Sequence, residues 1–404
     1  MATLKVKFRK SSVPGKPGTI FYQVRHEKKT IQITTHLHPF PEQWYNITEG
    51  VVTSDIENKR TLTYIHRVID ADTTLLKNII REFEQTGRKY TAHDIVDRFR
   101  SPQCQMSVLT FFKEQISILS IHNRLGTARN YLRTMNSFSS FLHSNDIPFK
   151  LFTEELIFEY AEWLQQKGVK RNSSSFYMRV LRSVYNKAVR KHFVQQTFPF
   201  QNVYTGVDKT QKRAISEEVI LQLFRMKISS PSLALARDLF IFSYGMRGMA
   251  FVDMAFLCRK NIRGGFIHYT RRKTGQQLSV HIEPCIQDII DRYSSQTEQT
   301  PYLLPILTSE DPVRAFSQYQ TALGYYNRQL KQLSQMLHLD ISLSSYCARH
   351  SWATAARNHN IPLSVISAGM GHTSERTTQI YLASLENSVI DQANQNIIAF
   401  LESV

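Results

Sequence analysis

Cysteine is scarce in this chain. There are four in 404 residues, at Cys104, Cys258, Cys285 and Cys347, with no paired spacing. That argues against a disulfide framework or a zinc ribbon and fits a reducing cytoplasm. Long apolar runs are missing too: no stretch approaches the roughly 18 residues needed to span a bilayer. The opening Met1-Ala2-Thr3-Leu4-Lys5-Val6-Lys7 lacks the apolar core of a signal peptide. Acid is also short, with 33 Asp and Glu against 50 Lys and Arg and a formal net charge of +17. Such an excess favours a polyanionic partner, with nucleic acid ahead of an anionic membrane surface. Internal repeats and low-complexity segments are absent. The length exceeds one typical domain, so two or three are expected.

The lack of acid is sharpest at the N-terminus. Through Pro41 the only acidic residue is Glu27, against Lys5, Lys7, Arg9, Lys10, Lys16, Arg25, Lys28 and Lys29. Leu4, Val6 and Phe8 alternate with Lys5, Lys7 and Arg9, the period of a half-buried strand. After a turn at Val13-Pro14-Gly15-Lys16-Pro17-Gly18, further strands are expected from Ile20 to Arg25 and Thr30 to Thr34. The first 45 residues thus read as a small sheet. Its basic face, with Lys5, Lys7, Arg9, Lys28 and Lys29, suits a DNA groove. A solvated edge sheet that uses charge against aggregation is the competing reading.

From Ile56 to Phe99 the apolar spacing becomes helical, with a connecting helix ending near Gln85-Thr86-Gly87 and a boundary at Ser101-Pro102. Residues 107 to about 192 read as all-helical. The last helix, Ser174 to Lys191, carries Arg179, Arg182, Lys187, Arg190 and Lys191, with Val180, Leu181, Val184 and Ala188 available to face the bundle. Such a stripe suits phosphate-backbone contact, with a solvated face as the alternative. Residues 195–212 read as an extended linker. Ser216 is a candidate N-cap before Glu217-Glu218, and the rest is mostly helix. One β excursion is expected, with strands from Ile262 to Thr270 and Gln277 to Ile282 around an Arg271-Arg272-Lys273-Thr274-Gly275 tip. The expected divisions are 1–100, 101–194, a linker at 195–212, and 213–404.

The third region carries Arg247, Lys273, Arg349-His350, Gly371-His372 and, nine residues after His372, Tyr381. Two arginines, a lysine, a histidine and a late tyrosine suggest a phosphate clamp around a nucleophilic phenol. Breaking a phosphodiester without metal or nucleotide requires cations on the non-bridging oxygens, a role for which the planar, always-protonated guanidinium is suited. A tyrosine oxygen can attack phosphorus and hold the DNA as an ester. A lysine on a mobile loop can protonate the departing 5′ oxygen.

At these residues the chain resembles the tyrosine recombinase (phage integrase) family, in a form similar to integrases of Bacteroides-type mobile elements and invertible loci. The family's first arginine, in a Gly-x-Arg element after an apolar helix, corresponds to Arg247. Its hairpin lysine corresponds to Lys273, its His-x-x-Arg-His box to Tyr346-Cys347-Ala348-Arg349-His350, its Gly-His to Gly371-His372 and its nucleophile to Tyr381. Two departures stand out: Tyr346 replaces the box's first histidine, and Ala250 stands where an acid usually follows the first arginine, leaving Asp253 to support Arg247. His350 is expected to orient the arginine helix from the core. Zinc binding by Cys347, His350, His359 and His372 matches no common spacing.

The resemblance implies a mainly α fold with small β elements: an N-terminal β arm-binding unit, a helical core-binding (SAM-like) domain and an α+β catalytic domain. It implies a bacterial, cytoplasmic, nucleoid-associated enzyme that recombines DNA through a 3′-phosphotyrosine, with no cofactor and no metal. The catalytic residues would be Arg247, Lys273, Tyr346, Arg349, His372 and Tyr381. The implied partners are double-stranded DNA with core sites and separate arm sites, further copies of the chain in a tetramer, and a DNA-bending accessory protein. The tail from Leu385 would pack on its own domain or dock on a neighbouring protomer. A DNA-binding protein with decayed catalysis and a type IB topoisomerase are the alternatives.

Overall fold

The computed structural model describes residues 2–49, 56–85, 87, 89–101, 106–208, 214–372, 374–379, 394–395 and 397–398. The chain forms two compact units, Met1–Asp208 and Lys209–Val404. The mainly helical architecture with two small sheets agrees with the fold class read from the sequence.

The first unit opens with a three-stranded antiparallel sheet of β1 (Thr3–Arg9), β2 (Thr19–His26) and β3 (Lys29–Thr34), in that order. Register pairs Lys5 with Gln23, Lys7 with Phe21 and Arg9 with Thr19. The alternation therefore sends Leu4, Val6 and Phe8 to the side of Ile20, Tyr22 and Val24, and leaves Lys5, Lys7 and Arg9 exposed on the other face. Arg9 donates to Gln32 Oε1 at 2.8 Å and covers the Phe21 ring at 5.1 Å. Lys28 and Lys29 lie at the β2–β3 turn, where Glu27 takes a left-handed φ of 50°.

The expectation of a purely β segment to about residue 45 is corrected by α1 (Pro41–Glu49). Proline suits the first helical position, and Trp44 stacks on Phe8 at 5.6 Å, a partner supplied only by the folded sheet. The long α2 (Ile56–Gln85) ends where the sequence placed it. A shorter α3 (Ala92–Arg100) follows, started by a reciprocal Thr91–Asp94 capping box.

Four helices make the bundle: α4 (Val108–Ile121), α5 (Leu125–Phe141), α6 (Glu154–Gln166) and α7 (Arg171–Arg190). Their shared core is aromatic, with Phe111, Phe112, Phe138, Phe149, Tyr160 and Tyr185 all buried. Leu181, Val184 and Ala188 supply the inner face of α7, as its spacing requires.

A polar trio ties the sheet to the bundle. The Tyr22 hydroxyl donates to Asp72 Oδ2 at 2.7 Å, and the Lys150 ammonium pairs with Oδ1 of the same carboxylate. Asp72 is only 4% exposed, and burial together with this acceptor drives the Tyr22 phenol far above its ordinary range. The N-terminal unit and the bundle, read separately from the sequence, are thus bridged by α2.

The segment read as linker is non-helical from 195 to 208, but it is not free chain. Phe200 is buried in the bundle core beside Phe152 and Tyr185. Tyr185 donates to the Gln195 carbonyl at 2.9 Å, and Tyr204 donates to Asp208 Oδ1 at 2.6 Å. Polar groups on α7 hold this chain, a pairing invisible to local composition. Residues 209–213 lie outside the described set.

The second unit begins at α8 (Glu217–Arg225), capped by the Ser216 hydroxyl at 3.4 Å from the Val219 amide. Then come the buried α9 (Pro231–Gly245) and the short α10 (Phe251–Ala255). The strand expected from Ile262 to Thr270 is split by Gly264-Gly265, both at positive φ, into β4 (Ile262–Arg263) and β5 (Phe266–Thr270). β6 (Gln277–His281) completes an antiparallel sheet. Helices α11 (Pro284–Tyr293), α12 (Pro312–Met336), α13 (Cys347–Asn358), α14 (Leu363–Met370) and α15 (Glu375–Gln379) follow. No described helix is long and apolar enough to cross a membrane.

Removing Asp72 strands a half-buried ammonium and a buried hydroxyl. Asp72→Ala is expected to destabilise the first unit by about 3 kcal/mol, read as a lower urea midpoint for that unit's transition.

Candidate active site

The end of α9 places Arg247. Gly245 lets α9 approach α11: a Cβ there would lie 2.6 Å from Ile286 Cδ1. Arg247 and Gly248 then take successive left-handed φ values of 57° and 70°. For arginine this conformation is strained by about 1–3 kcal/mol and needs outside support. Ser243 supplies it: its carbonyl accepts from the Gly248 and Met249 amides, and its hydroxyl donates to the Met249 carbonyl at 2.7 Å. Gly248 is required for a second reason, since a Cβ there would sit 2.7 Å from Arg349 Cα.

Arg349 lies in the first turn of α13 and is 3% exposed. Its guanidinium donates to the carbonyls of Gly248 and Met370, both at 2.7 Å, and reaches His372 Nε2 at 3.0 Å. A guanidinium can only donate, so Nε2 accepts and the imidazole proton sits on Nδ1. Nδ1 lies 2.9 Å from the hydroxyl of buried Thr378 on α15. Burial first, then the charges of Arg349, Arg271 and Lys273, hold the His372 pKa down at about 4. The ring is therefore neutral at neutral pH.

The β5–β6 hairpin supplies the other cations. Strand alternation continues past β5: Tyr269 is buried, Thr270 exposed, Arg271 buried and Arg272 exposed. Lys273 is exposed at the tip, near enough to act on His372. Arg271, named from the sequence only as part of the hairpin tip, donates through Nη1 to the Gly371 carbonyl. Thr378 was not singled out at all. The period-2 pattern was the available signal for Arg271; nothing local marked Thr378.

Asp253 is buried and accepts from the Arg272 amide at 2.9 Å. Desolvation raises its pKa, opposed by that amide and by the charges of Arg271, Arg349 and Arg272. Arg247, which the sequence suggested as its partner, is not among the groups that act on it. Tyr346 is the N-cap residue of α13, 48% exposed, with its ring 6.4 Å from half-buried His350. Arg247, Lys273, Tyr346, Arg349 and His372 all lie in the second unit, and the first arginine loop, the hairpin and the Gly371-His372 turn converge on Arg349. Tyr381 and the tail from Leu385 to residue 393 lie outside the described residues. Among the described residues no cluster of three His, Cys, Asp or Glu side chains could hold a metal.

In the first unit, Arg179, Arg182 and Arg190 are exposed on α7 around a groove of about 550 Å³ that also includes Ser183, Asn186 and Gln196. Arg182 donates to the Thr205 hydroxyl at 3.3 Å. Lys187 is half-buried, with its ammonium 4.9 Å from the centre of the Tyr131 ring.

A phage integrase SAM-like domain model matches residues 107–203, and a phage integrase family model matches residues 216–388. The chain belongs to the tyrosine recombinase family. Tyrosine recombinase XerD of Pseudomonas aeruginosa is 23% identical over 265 residues, covering 63% of this chain and 85% of that protein. Among solved structures, a lambda integrase dimer bound to a COC′ core site is similar at TM-score 0.53 and 14% identity, covering 89% of this chain and 91% of that one. A lambda integrase tetramer bound to a Holliday junction gives TM-score 0.51 and 12% identity over 90% and 92%. The Tn1549 transposon integrase in complex with transposon right end DNA gives TM-score 0.50 and 14% identity over 73% and 100%. At these identities the structures show a shared fold. The recombinase is an enzyme of tyrosine-type site-specific recombination.

Two outcomes follow from this geometry. His372 is held at about 4 against an ordinary 6.5, so its neutral state favours folding above pH 6.5. That contribution is lost as pH falls toward 4, because over this range the unfolded recombinase binds the proton and the folded one does not. His372→Gln should flatten this part of a plot of thermal midpoint against pH. Gly248→Ala adds a Cβ at positive φ against Arg349 and should lower stability of the second unit by about 1–3 kcal/mol in denaturant unfolding.

Proposed function

We propose that this recombinase cleaves and rejoins DNA through a 3′-phosphotyrosine formed by Tyr381, with Arg247, Arg349, His372 and Tyr346 on the scissile phosphate and Lys273 as general acid. The observation that carries the reading is the buried Arg349 guanidinium, bonded to a neutral His372 and to the backbone beside Arg247. A cationic site with one neutral acceptor suits a phosphodiester that gains charge in its transition state.

In the step, a bond forms between the Tyr381 oxygen and phosphorus while the bond from phosphorus to the 5′ oxygen breaks. Lys273 gives the 5′ oxygen its proton. The phenol proton passes to His372 Nε2, which becomes available when the phosphate takes the Arg349 donor. Tyr346, a poor base near neutral pH, contributes a hydrogen bond to a phosphate oxygen. Rejoining reverses these steps with the 5′-hydroxyl of the second strand. The bond energy stays in the ester, so neither nucleotide nor metal is consumed.

In this reading, residues 1–100 are an arm-binding unit, with Lys5, Lys7, Arg9, Lys28 and Lys29 on arm DNA. Residues 101–194 bind core DNA through Arg179, Arg182, Lys187 and Arg190, 195–212 connect, and 213–404 carry the chemistry. The DNA-bound lambda and Tn1549 integrases support double-stranded DNA as the partner, and the Holliday-junction tetramer supports assembly into four. The role proposed is integration and excision of a mobile element, or inversion of a segment, in the bacterial cytoplasm at the nucleoid, with a DNA-bending protein assisting.

Tyr381→Phe should abolish the covalent protein–DNA adduct on a nicked suicide substrate while leaving DNA affinity unchanged, and the wild-type adduct should form in EDTA without nucleotide. An adduct that persists in Tyr381→Phe would assign the nucleophile elsewhere.

A further inference from the structure

Arg271 is used differently from the other cations of the pocket. It is 6% exposed, so its guanidinium is turned inward at the base of the hairpin. Its backbone closes the tip: the amide bonds the Gln276 carbonyl and the carbonyl accepts from Gly275, both at 2.8 Å. Its Nη1 bonds the Gly371 carbonyl, 100 residues away and immediately before His372. Gly371 is the left-handed C-cap of α14, with φ at 67°. A Cβ at Gly371 would lie 3.0 Å from Arg271 Cδ and 2.9 Å from Leu278 Cδ1, so only glycine lets the hairpin seat this closely. The same hairpin is tied at Arg272 to buried Asp253, whose charge faces both Arg271 and Arg349.

These contacts join two parts that the chemistry needs in register. One is the hairpin that carries Lys273; the other is the turn that carries His372. We infer that Arg271 is a positioning residue: it latches the hairpin to the Gly371-His372 turn, so that the general acid and the histidine reach the scissile phosphate as one unit. With Nη1 committed to Gly371, Arg271 acts through its neighbours; Arg272 stacks on the Phe256 ring at 3.8 Å, and exposed Lys273 is left for the substrate. This rests on the function proposed above, but the latch itself exists in the free protein and can be read there.

The charged groups that act on His372 include Arg349 from α13 and Arg271 and Lys273 from the hairpin; α15 contributes neutral Thr378. Removing the Arg271 charge should therefore raise the His372 titration midpoint, and removing its donor should loosen the turn. The experiment uses the full chain with Arg271→Met, which keeps length without donor or charge, and Arg271→Lys, which keeps the charge and a donor. The readouts are the His372 imidazole nitrogen shifts against pH in the free protein, the affinity for site DNA, and the single-turnover rate of adduct formation.

For Arg271→Met the expected result is an upward shift of the His372 midpoint from about 4, unchanged DNA affinity, and adduct formation slower by roughly 10²-fold, the scale of a small misplacement. Arg271→Lys should restore most of the rate and keep the His372 midpoint close to that of the wild type. An unshifted midpoint in a folded Arg271→Met protein, or a full rate in that variant, would overturn the latch. So would an Arg271→Lys protein that binds DNA normally yet is as slow as Arg271→Met. If Arg271→Met does not fold, the lysine variant alone decides on rate and midpoint. A wild-type chain that forms no adduct would instead overturn the proposed function, and the nitrogen shifts would still judge the latch.

Discussion

A buried guanidinium governs the second unit. Withdrawing a cation from water costs several kcal/mol unless acceptors come to meet it, and here they meet the two terminal nitrogens. Arg349 is met by carbonyls of Gly248 and Met370 and by the His372 imidazole. Those acceptors come from the loop after α9 and from the end of α14. Burying one arginine therefore fixes three stretches of chain at once. The left-handed backbone at Arg247-Gly248, the missing Cβ at Gly248 and the αL cap at Gly371 are the local conditions under which they can meet.

The charge balance of that site is deliberately incomplete. Asp253 is the buried acid facing Arg271 and Arg349, and its own pKa is raised by the same desolvation. Arg247 and Lys273 are not among the groups that act on it. A neutral His372 adds no positive charge but keeps a lone pair directed at Arg349. The pocket thus retains positive potential with an acceptor inside it, a combination that favours a phosphate arriving with its own negative charge.

The first unit uses the same device to a different end. Asp72 joins Tyr22 of the sheet to Lys150 beside the bundle, so α2 is a shared wall rather than a tether. With the apolar face of the sheet consumed by packing on helices, the face of Lys5, Lys7 and Arg9 is left outward. On α7 the apolar stripe is consumed in the same way, leaving Arg179, Arg182 and Arg190 exposed.

Much of this was legible in order. Period-2 alternation located β1 and its basic face, helical spacing located α2 and α7, and Ser216 located the start of α8, because each depends on neighbours within a few residues. Linear order also assembled the candidates Arg247, Lys273, Tyr346, Arg349, His372 and Tyr381. Two features that lean on distant partners were not legible, the helix at 41–49 against Phe8 and the anchored chain at 195–208, and the split of the expected strand by the local Gly264-Gly265 pair was missed as well. The sequence by itself determined the residue types, their order and the excess of positive charge. Only the tertiary structure decided that Arg271 points inward, that Asp253 serves the hairpin rather than Arg247, and that His372 is neutral. Those outcomes depend on burial and on contacts spanning 19 to 100 residues of chain, so alternation could mark the side on which Arg271 falls but not the partner it meets.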